Sequence, residues 1–382
     1  MRFLTAGESH GKGLTVILEG VPANLDIDGA VVRDEMNRRR SGFGRGPRMR
    51  LEEDAVEFLS GVRFGKTTGA PIAMFIKNGE YEKVWSDLMS PLGAKKEGRE
   101  LTAVRPGHAD LAGAVKYAQS DARNILERAS ARETAARVAV GAVCRIFLAE
   151  LGICAGSHVI GIGGENSDAD AGDIRTLNAR ADADPVRCLD KRASARMIKL
   201  IEAAKESGDT LGGRIRAAAS GVPVGIGSHI QFDKRLDYLL AALVMSVQAV
   251  KCVAIGDGAG ADALKGSEFH DRMYLKNGKI VRETNRAGGI EGGISNGENI
   301  VVEAVIKPIP SLASPLETVD IATMTSAAAA AERSDVCAVP AAGVVCEAML
   351  CYGLSAAILE TSGGDHMDEV RERIAKKREA AL

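Results

Sequence analysis

The chain has 382 residues, of which 46% are apolar and only 4% aromatic, and carries a formal charge of −2. Such a composition supports a sizeable core built largely from Ala, Val, Ile and Leu, and the near-neutral charge excludes a global drive toward nucleic acid or an anionic membrane. Seven scattered cysteines without a C-x-x-C pair exclude a disulfide framework and a cysteine-based zinc site, and are most simply read as a reducing cytoplasm.

The N-terminus has no apolar signal region, because Glu8 and His10 interrupt it. No run of about 18 uncharged apolar residues is found, so no spanning helix is expected. Gly7-Glu8-Ser9-His10-Gly11 sets a histidine among glycines, where backbone can approach a ligand closely. A strand is expected at Leu14–Leu18 and a helix at Asp28–Arg39. Between Arg33 and Arg50 stand seven arginines against Asp34 and Glu35. From Ser41 onward they alternate with glycine, which suits a flexible loop closing over a polyanion through bidentate contacts. An RNA-binding reading of the same run has only Phe43 as an interleaved aromatic. Gly61–Thr67 resembles a nucleotide-binding P-loop but is one residue short between its glycines.

A strand follows at Ile72–Ile76, and Arg105-Pro106-Gly107-His108-Ala109-Asp110 places a second histidine beside glycine. In Arg128-Ala129-Ser130-Ala131-Arg132-Glu133-Thr134, Ser130 and Glu133 have capping-box spacing at the head of a helix expected over Ala131–Leu151 and stopped by Gly152. Further elements are expected at His158–Ile162 (strand), Ala193–Ser207 (helix), Arg214–Ser220 (strand), Leu236–Ala249 (helix), Ile300–Ile306 (strand) and Ala341–Leu359 (helix). Arg192–Arg196 repeats the RASAR string within an ordinary amphipathic helix. Gly256–Ala261 fits G-x-G-x-x-A after the strand-like Val250–Ile255, but no helix follows and it reads as a glycine-rich turn. Asp368–Leu382 is a charged, helical, solvated tail. Helices and strands do not alternate regularly, so the pattern indicates α+β with antiparallel sheet rather than a doubly wound parallel sheet.

Imidazole is the side chain best matched to proton transfer near neutrality, and a helix start offers unpaired N–H groups to phosphate. His10, His108 and the Ser130 helix start together point to proton-transfer chemistry on a phosphorylated or carboxylated small molecule. His158, His229, His270 and His366 lack such settings and read as structural. No histidine or carboxylate spacing demands a metal. Glu332-Arg333-Ser334-Asp335 is either a surface ion pair or an anion anchor beside a general base.

Taken in order, GESHG, the arginine loop, RPGHAD, RASARET, Asp209–Gly213, Gly288–Gly297, Lys307–Ser311 and Arg333–Ala342 resemble the chorismate synthase family over nearly the whole chain. That resemblance implies one catalytic domain over 1–382, a β-α-β sandwich with helices between antiparallel sheets, and a homotetramer. The activity implied is 1,4-anti elimination of phosphate from 5-enolpyruvylshikimate 3-phosphate to chorismate, with reduced FMN required and no net redox change. It implies catalytic roles for His10 at the departing phosphate, His108 at the reduced flavin and Asp335 at the flavin's N5. Flavin contacts would be Arg128, Ala129, Ser130, Gln248, Ala249, Gly292, Lys307, Pro308, Ile309, Pro310, Ser311 and Arg333. Substrate phosphate and carboxylates would meet Ser9, Arg48, Arg105, Arg132 and Arg333. Arg39 and Arg45 fall at positions tied to NADPH in the family. Because the resemblance fills the chain, a separate flavin reductase is expected, and neither nucleic acid nor membrane is an expected partner. Gly79–Trp85 is a looser match and is not expected to touch the catalytic set.

Overall fold

The computed structural model describes residues 1–46, 54–93, 98–330 and 335–379. Its first sheet comprises β1 (Arg2–Ala6), β2 (Gly13–Glu19), β3 (Val56–Ser60) and β4 (Ile72–Lys77), ordered β1-β2-β4-β3 and antiparallel throughout. The second comprises β5 (Cys154–Ile162), β6 (Glu165–Asn166), β7 (Gly213–Ser220), β8 (Val250–Ile255) and β9 (Ile300–Ile306), ordered β8-β9-β7-β5-β6 and also antiparallel. The α-helices of seven residues or more among the described residues are α1 (Gly29–Arg40), α2 (Asp110–Tyr117), α3 (Arg123–Ala129), α4 (Thr134–Glu150), α5 (Ile174–Asp182), α6 (Lys191–Ser207), α7 (Leu236–Met245), α8 (Val339–Ser362) and α9 (Met367–Glu379). Helix α4 packs on the first sheet, α8 on the second, and the two pack on each other, giving the expected α+β sandwich.

Alternation decides which face of the first sheet is buried: Leu14, Val16 and Leu18 point inward with Ile72, Met74 and Ile76, while Leu4, Ile17 and Leu59 point outward. Few aromatics means a small-residue interior. A Cβ on Gly141 would lie 2.3 Å from that of Ala348, so α4 and α8 cross at a separation that only glycine permits.

By length and composition helix α8 would suffice to cross a membrane, but 83% of its apolar window is buried inside the fold. The sequence holds no uncharged apolar run of that length because Glu347 interrupts the helix, and Glu347 is fully buried among charges. It accepts hydrogen bonds from Arg38 (3.0 and 3.1 Å), Arg145, Ser157 (2.6 Å) and Asn178 (2.7 Å), with Arg187 3.9 Å away. Glu35 pairs with Arg38 and Arg145, and Asp182 with Arg38 and Arg187. Three guanidiniums thus meet three carboxylates. Burial opposes ionisation of Glu347, but Arg38 and Arg145 hold its carboxyl far below the usual range. The C-terminal helix also differs from the solvated tail expected, because Met367, Val370 and Ile374 form an apolar stripe buried in the core.

His158 on β5 is 1% exposed, and neither ring nitrogen has a partner among the described residues. Burial, then Arg216 and Arg187, push its imidazole down to about 4. The unfolded chain therefore takes up this proton first as pH falls from 6.5, and native stability drops until about pH 4. Denaturant titrations should show the native chain losing about 3 kcal/mol more than His158→Val over that window. Parallel losses in both proteins would contradict this.

Candidate active site

A cavity of about 370 Å³ opens where the N-terminal turns of the first sheet, the Ser130 helix start and the first turns of α8 converge. The Gly7–Gly11 turn enters from β1. Gly7 has φ +106°, and a Cβ there would lie 2.3 Å from the Gly13 carbonyl oxygen, so the turn that presents Ser9 and His10 requires glycine. The Ser9 backbone N–H donates to the Glu127 carbonyl at 2.9 Å. The Glu127 carboxylate accepts from the His10 backbone N–H at 2.7 Å and from its Nδ1 at 2.8 Å.

His108 is held in a parallel manner. Its Nδ1 lies 2.5 Å from Asp110 Oδ1, while Arg105 bonds the same carboxylate through Nε at 2.8 Å and Nη2 at 3.2 Å. Burial opposes the Asp110 charge, but the bonds from His108 and Arg105 keep this carboxyl well below the ordinary range. An ionised carboxylate only accepts, so Nδ1 carries the proton and the Arg105 contact to Nδ1 at 3.1 Å is not a hydrogen bond. Arg105 also donates to Ser311 Oγ at 2.8 Å, which fixes the Lys307–Ser311 segment against the RPGHAD turn.

The other arginines are braced from behind. Buried Asp54 lies 3.0 Å from Arg39 and 3.1 Å from Arg132, and Arg39 also donates to Thr134 and to the Ala131 carbonyl. Arg45 pairs with Asp335, whose second oxygen accepts from the Gly46 N–H at 2.6 Å. The lining therefore presents Arg39, Arg45, Arg105, Arg132 and Lys307 with Asp335 as its one carboxylate among the described residues. Such a surface, fixed before any ligand arrives, suits anionic groups. Among the described residues no group of histidine, cysteine and carboxylates could hold a metal.

Ser9, His10, Arg39, Arg45, Arg105, His108, Ala129, Ser130, Arg132, Gln248, Ala249, Lys307, Ile309, Pro310, Ser311 and Asp335 all line the cavity. Arg128 does not; its guanidinium donates to the Thr5 carbonyl and hydroxyl. Pro308 and Gly292 do not either, the latter occupying an exposed hairpin turn at φ +59°. Arg48 and Arg333 lie outside the described residues.

The capping box is only half formed. Ser130 caps a 3₁₀ turn over Ala131–Glu133, but Glu133 binds Thr5, Arg137 and Gln248 instead of returning to Ser130. Gly61–Thr67 is a hairpin whose two turn residues, Phe64 (φ +50°) and Gly65 (φ +77°), are both left-handed, which a phosphate-wrapping loop before a helix is not. The arginine run does not form one RNA surface, since Arg38 and Arg39 are spent on buried carboxylates. Gly79–Trp85 does touch the catalytic set: the Trp85 indole stacks on His10 with centroids 3.8 Å apart and planes at 26°.

The chain is similar to known proteins along nearly its whole length. The family model described as chorismate synthase matches residues 1–359. A chorismate synthase from Syntrophotalea carbinolica is 51% identical over 98% of this chain and 97% of its own length. One from Aquifex aeolicus is 49% identical over 98% and 96%. A crystal structure of a chorismate synthase superposes with TM-score 0.78 at 41% identity, covering 99% of this chain and 97% of that one.

Proposed function

The chain belongs to the chorismate synthase family, lyases that eliminate phosphate from 5-enolpyruvylshikimate 3-phosphate to give chorismate in the shikimate pathway, and from that premise we propose a division of labour within the cavity. The carrying observation is the paired arrangement of two histidines, each on its own buried carboxylate, facing one cationic cavity. Substrate phosphate and carboxylates meet Arg105 and Arg132, with Ser9 beside them; Arg48 and Arg333, assigned to the same anions by the family resemblance, lie outside the described residues. Several fixed guanidiniums offset the cost of taking these anions out of water.

The wall is suited to reduced FMN. Ala129, Ala249, Ile309 and Pro310 contribute apolar lining, and Gln248 donates to Glu133 at 3.0 Å while its Oε1 is buried without a partner among the described residues. That oxygen fits an imide N–H such as the flavin ring presents. Lys307, whose pKa is lowered by burial and by Lys251, would be relieved by an anion. Reduced flavin, when bound, supplies electron density to the substrate as phosphate leaves and recovers it, so no net oxidation occurs. His10 donates a proton to the departing phosphate, whose C–O bonding pair leaves with it, while the pair of the broken C–H bond shifts into the new double bonding and its proton is released on the flavin side of the cavity. His108 controls the proton inventory on the flavin side, and Asp335 orients groups there from its place on Arg45.

Arg39 and Arg45 are already bonded to Asp54 and Asp335. We therefore assign them an anchoring task rather than NADPH binding, and assign flavin reduction to a separate reductase. The whole chain acts as one catalytic unit, in the cytoplasm. Outward Leu4, Ile17 and Leu59, with Tyr274 and Leu275 exposed on the antiparallel hairpin of Met273–Lys276 and Lys279–Arg282, support association into a homotetramer. The test is an anaerobic titration of reduced FMN, in which saturable binding should weaken by more than about 10-fold in Lys307→Ala. Absence of binding, or sustained turnover with only NADPH and oxidised FMN supplied, would contradict the assignment.

A further inference from the structure

We infer that Glu127 is the positioning residue that sets which nitrogen of His10 meets the substrate, an inference that rests on the reading of His10 as the group assisting phosphate departure. Glu127 lies in the last turn of α3, 117 residues from His10 in sequence, and is 2% exposed. One residue holds both Ser9 and His10. Its carbonyl takes the Ser9 N–H, and its carboxylate takes both the His10 backbone N–H and ring Nδ1. Arg123, one helical turn earlier, lies 3.4 Å from the same carboxylate. Trp85 fixes the remaining freedom, rotation of the ring out of its plane, by stacking on it at 3.8 Å.

The consequence is chemical. A carboxylate at 2.8 Å accepts from Nδ1–H, so Nε2 is the nitrogen through which His10 exchanges a proton. When that proton passes to a phosphate oxygen, His10 returns to its neutral form with Nδ1–H still on Glu127. The dyad resets without ring rotation. An amide at this position would lose the preference, since Gln can present either a donor or an acceptor to Nδ1.

The experiment is a kinetic cycle on the full chain with reduced FMN, comparing Glu127→Gln, His10→Ala and the double variant. Glu127→Gln should lower kcat on the order of 10²-fold, with KM for substrate within about threefold. The double variant should be no slower than His10→Ala alone, because Glu127 acts through His10. Emission of Trp85, the chain's one tryptophan, should be unchanged in Glu127→Gln, showing the stack intact. A purely structural role for Glu127 gives instead losses that multiply with those of His10→Ala and that extend to KM, and that outcome overturns the inference. Wild-type kcat in Glu127→Gln beside a slow His10→Ala also overturns it, while leaving the reading of His10 intact. Wild-type kcat in His10→Ala removes that reading and this inference together. Should Glu127→Gln not fold, Glu127→Asp, which keeps the charge one methylene short, should give the same pattern with a smaller loss.

Discussion

His108→Ala should lower kcat by about 10²- to 10⁴-fold while reduced-flavin affinity stays within about threefold, the range that general acid–base groups supply. His108 is oriented by a 2.5 Å bond to Asp110, and Asp110 is held ionised by Arg105 and His108. The imidazole therefore presents Nε2 in one tautomer, at a cavity edge it shares with Arg105 and Ser311. Asp110→Asn should reproduce part of the loss, about 10²-fold, because the amide no longer selects that tautomer. Steady-state kinetics under anaerobic conditions with a flavin titration in parallel check this. Wild-type kcat in His108→Ala would remove the histidine from the chemistry, and a loss confined to flavin affinity would make it a binding residue.

The largest effect on stability is expected at Glu347→Gln, which should cost about 3–5 kcal/mol. The substitution keeps the shape but leaves Arg38, Arg145 and Arg187 sharing two carboxylates, Glu35 and Asp182, in a buried setting. Two charges with one partner removed are far worse off than an apolar replacement of the whole group. Helix α8 carries both Glu347 and the cavity-lining Ala341, Ala342 and Val345, so loosening this network should also raise substrate KM. A urea-denaturation midpoint compared with wild type is the measurement. A change under about 1 kcal/mol would mean the network contributes orientation without net stability.

Much of this arrangement is legible in the chain, for reasons that differ by element. Long elements announce themselves by period: β2, β4, β7, β9 and helices α1, α4, α6 and α8 fall within a few residues of their expected spans. Helices α2 and α3 do not, because their N-caps are Ala109 and Ala122, which offer no side-chain acceptor, and neither exceeds eight residues. Strand β1 is five residues, none of them fully buried, and shows no clear apolar–polar alternation to mark it.

At the site, His10, His108 and most of the arginines sit in strings whose glycine and arginine content reveals them. Asp110 is in the same string as His108 and could be read from it. Glu127 and Asp54 could not, since each acquires its task only when the fold brings it to a distant partner. Asp54 reaches Arg132 from 78 positions away and also sits at φ +45°, a conformation that sequence spacing does not announce. Trp85 belongs to the same class: its segment matches the family loosely, yet the fold lays it on His10. Residues that touch ligand can be found in motifs, whereas residues that orient them are found through long-range contacts.

The central claim is that this cavity performs phosphate elimination with reduced flavin as a non-consumed partner. Its most direct test is anaerobic turnover of 5-enolpyruvylshikimate 3-phosphate with chemically reduced FMN, following chorismate absorbance and phosphate release together. The account predicts that both products appear in equal amounts over many turnovers with no flavin oxidised. Folded protein that binds flavin yet forms neither product would contradict it.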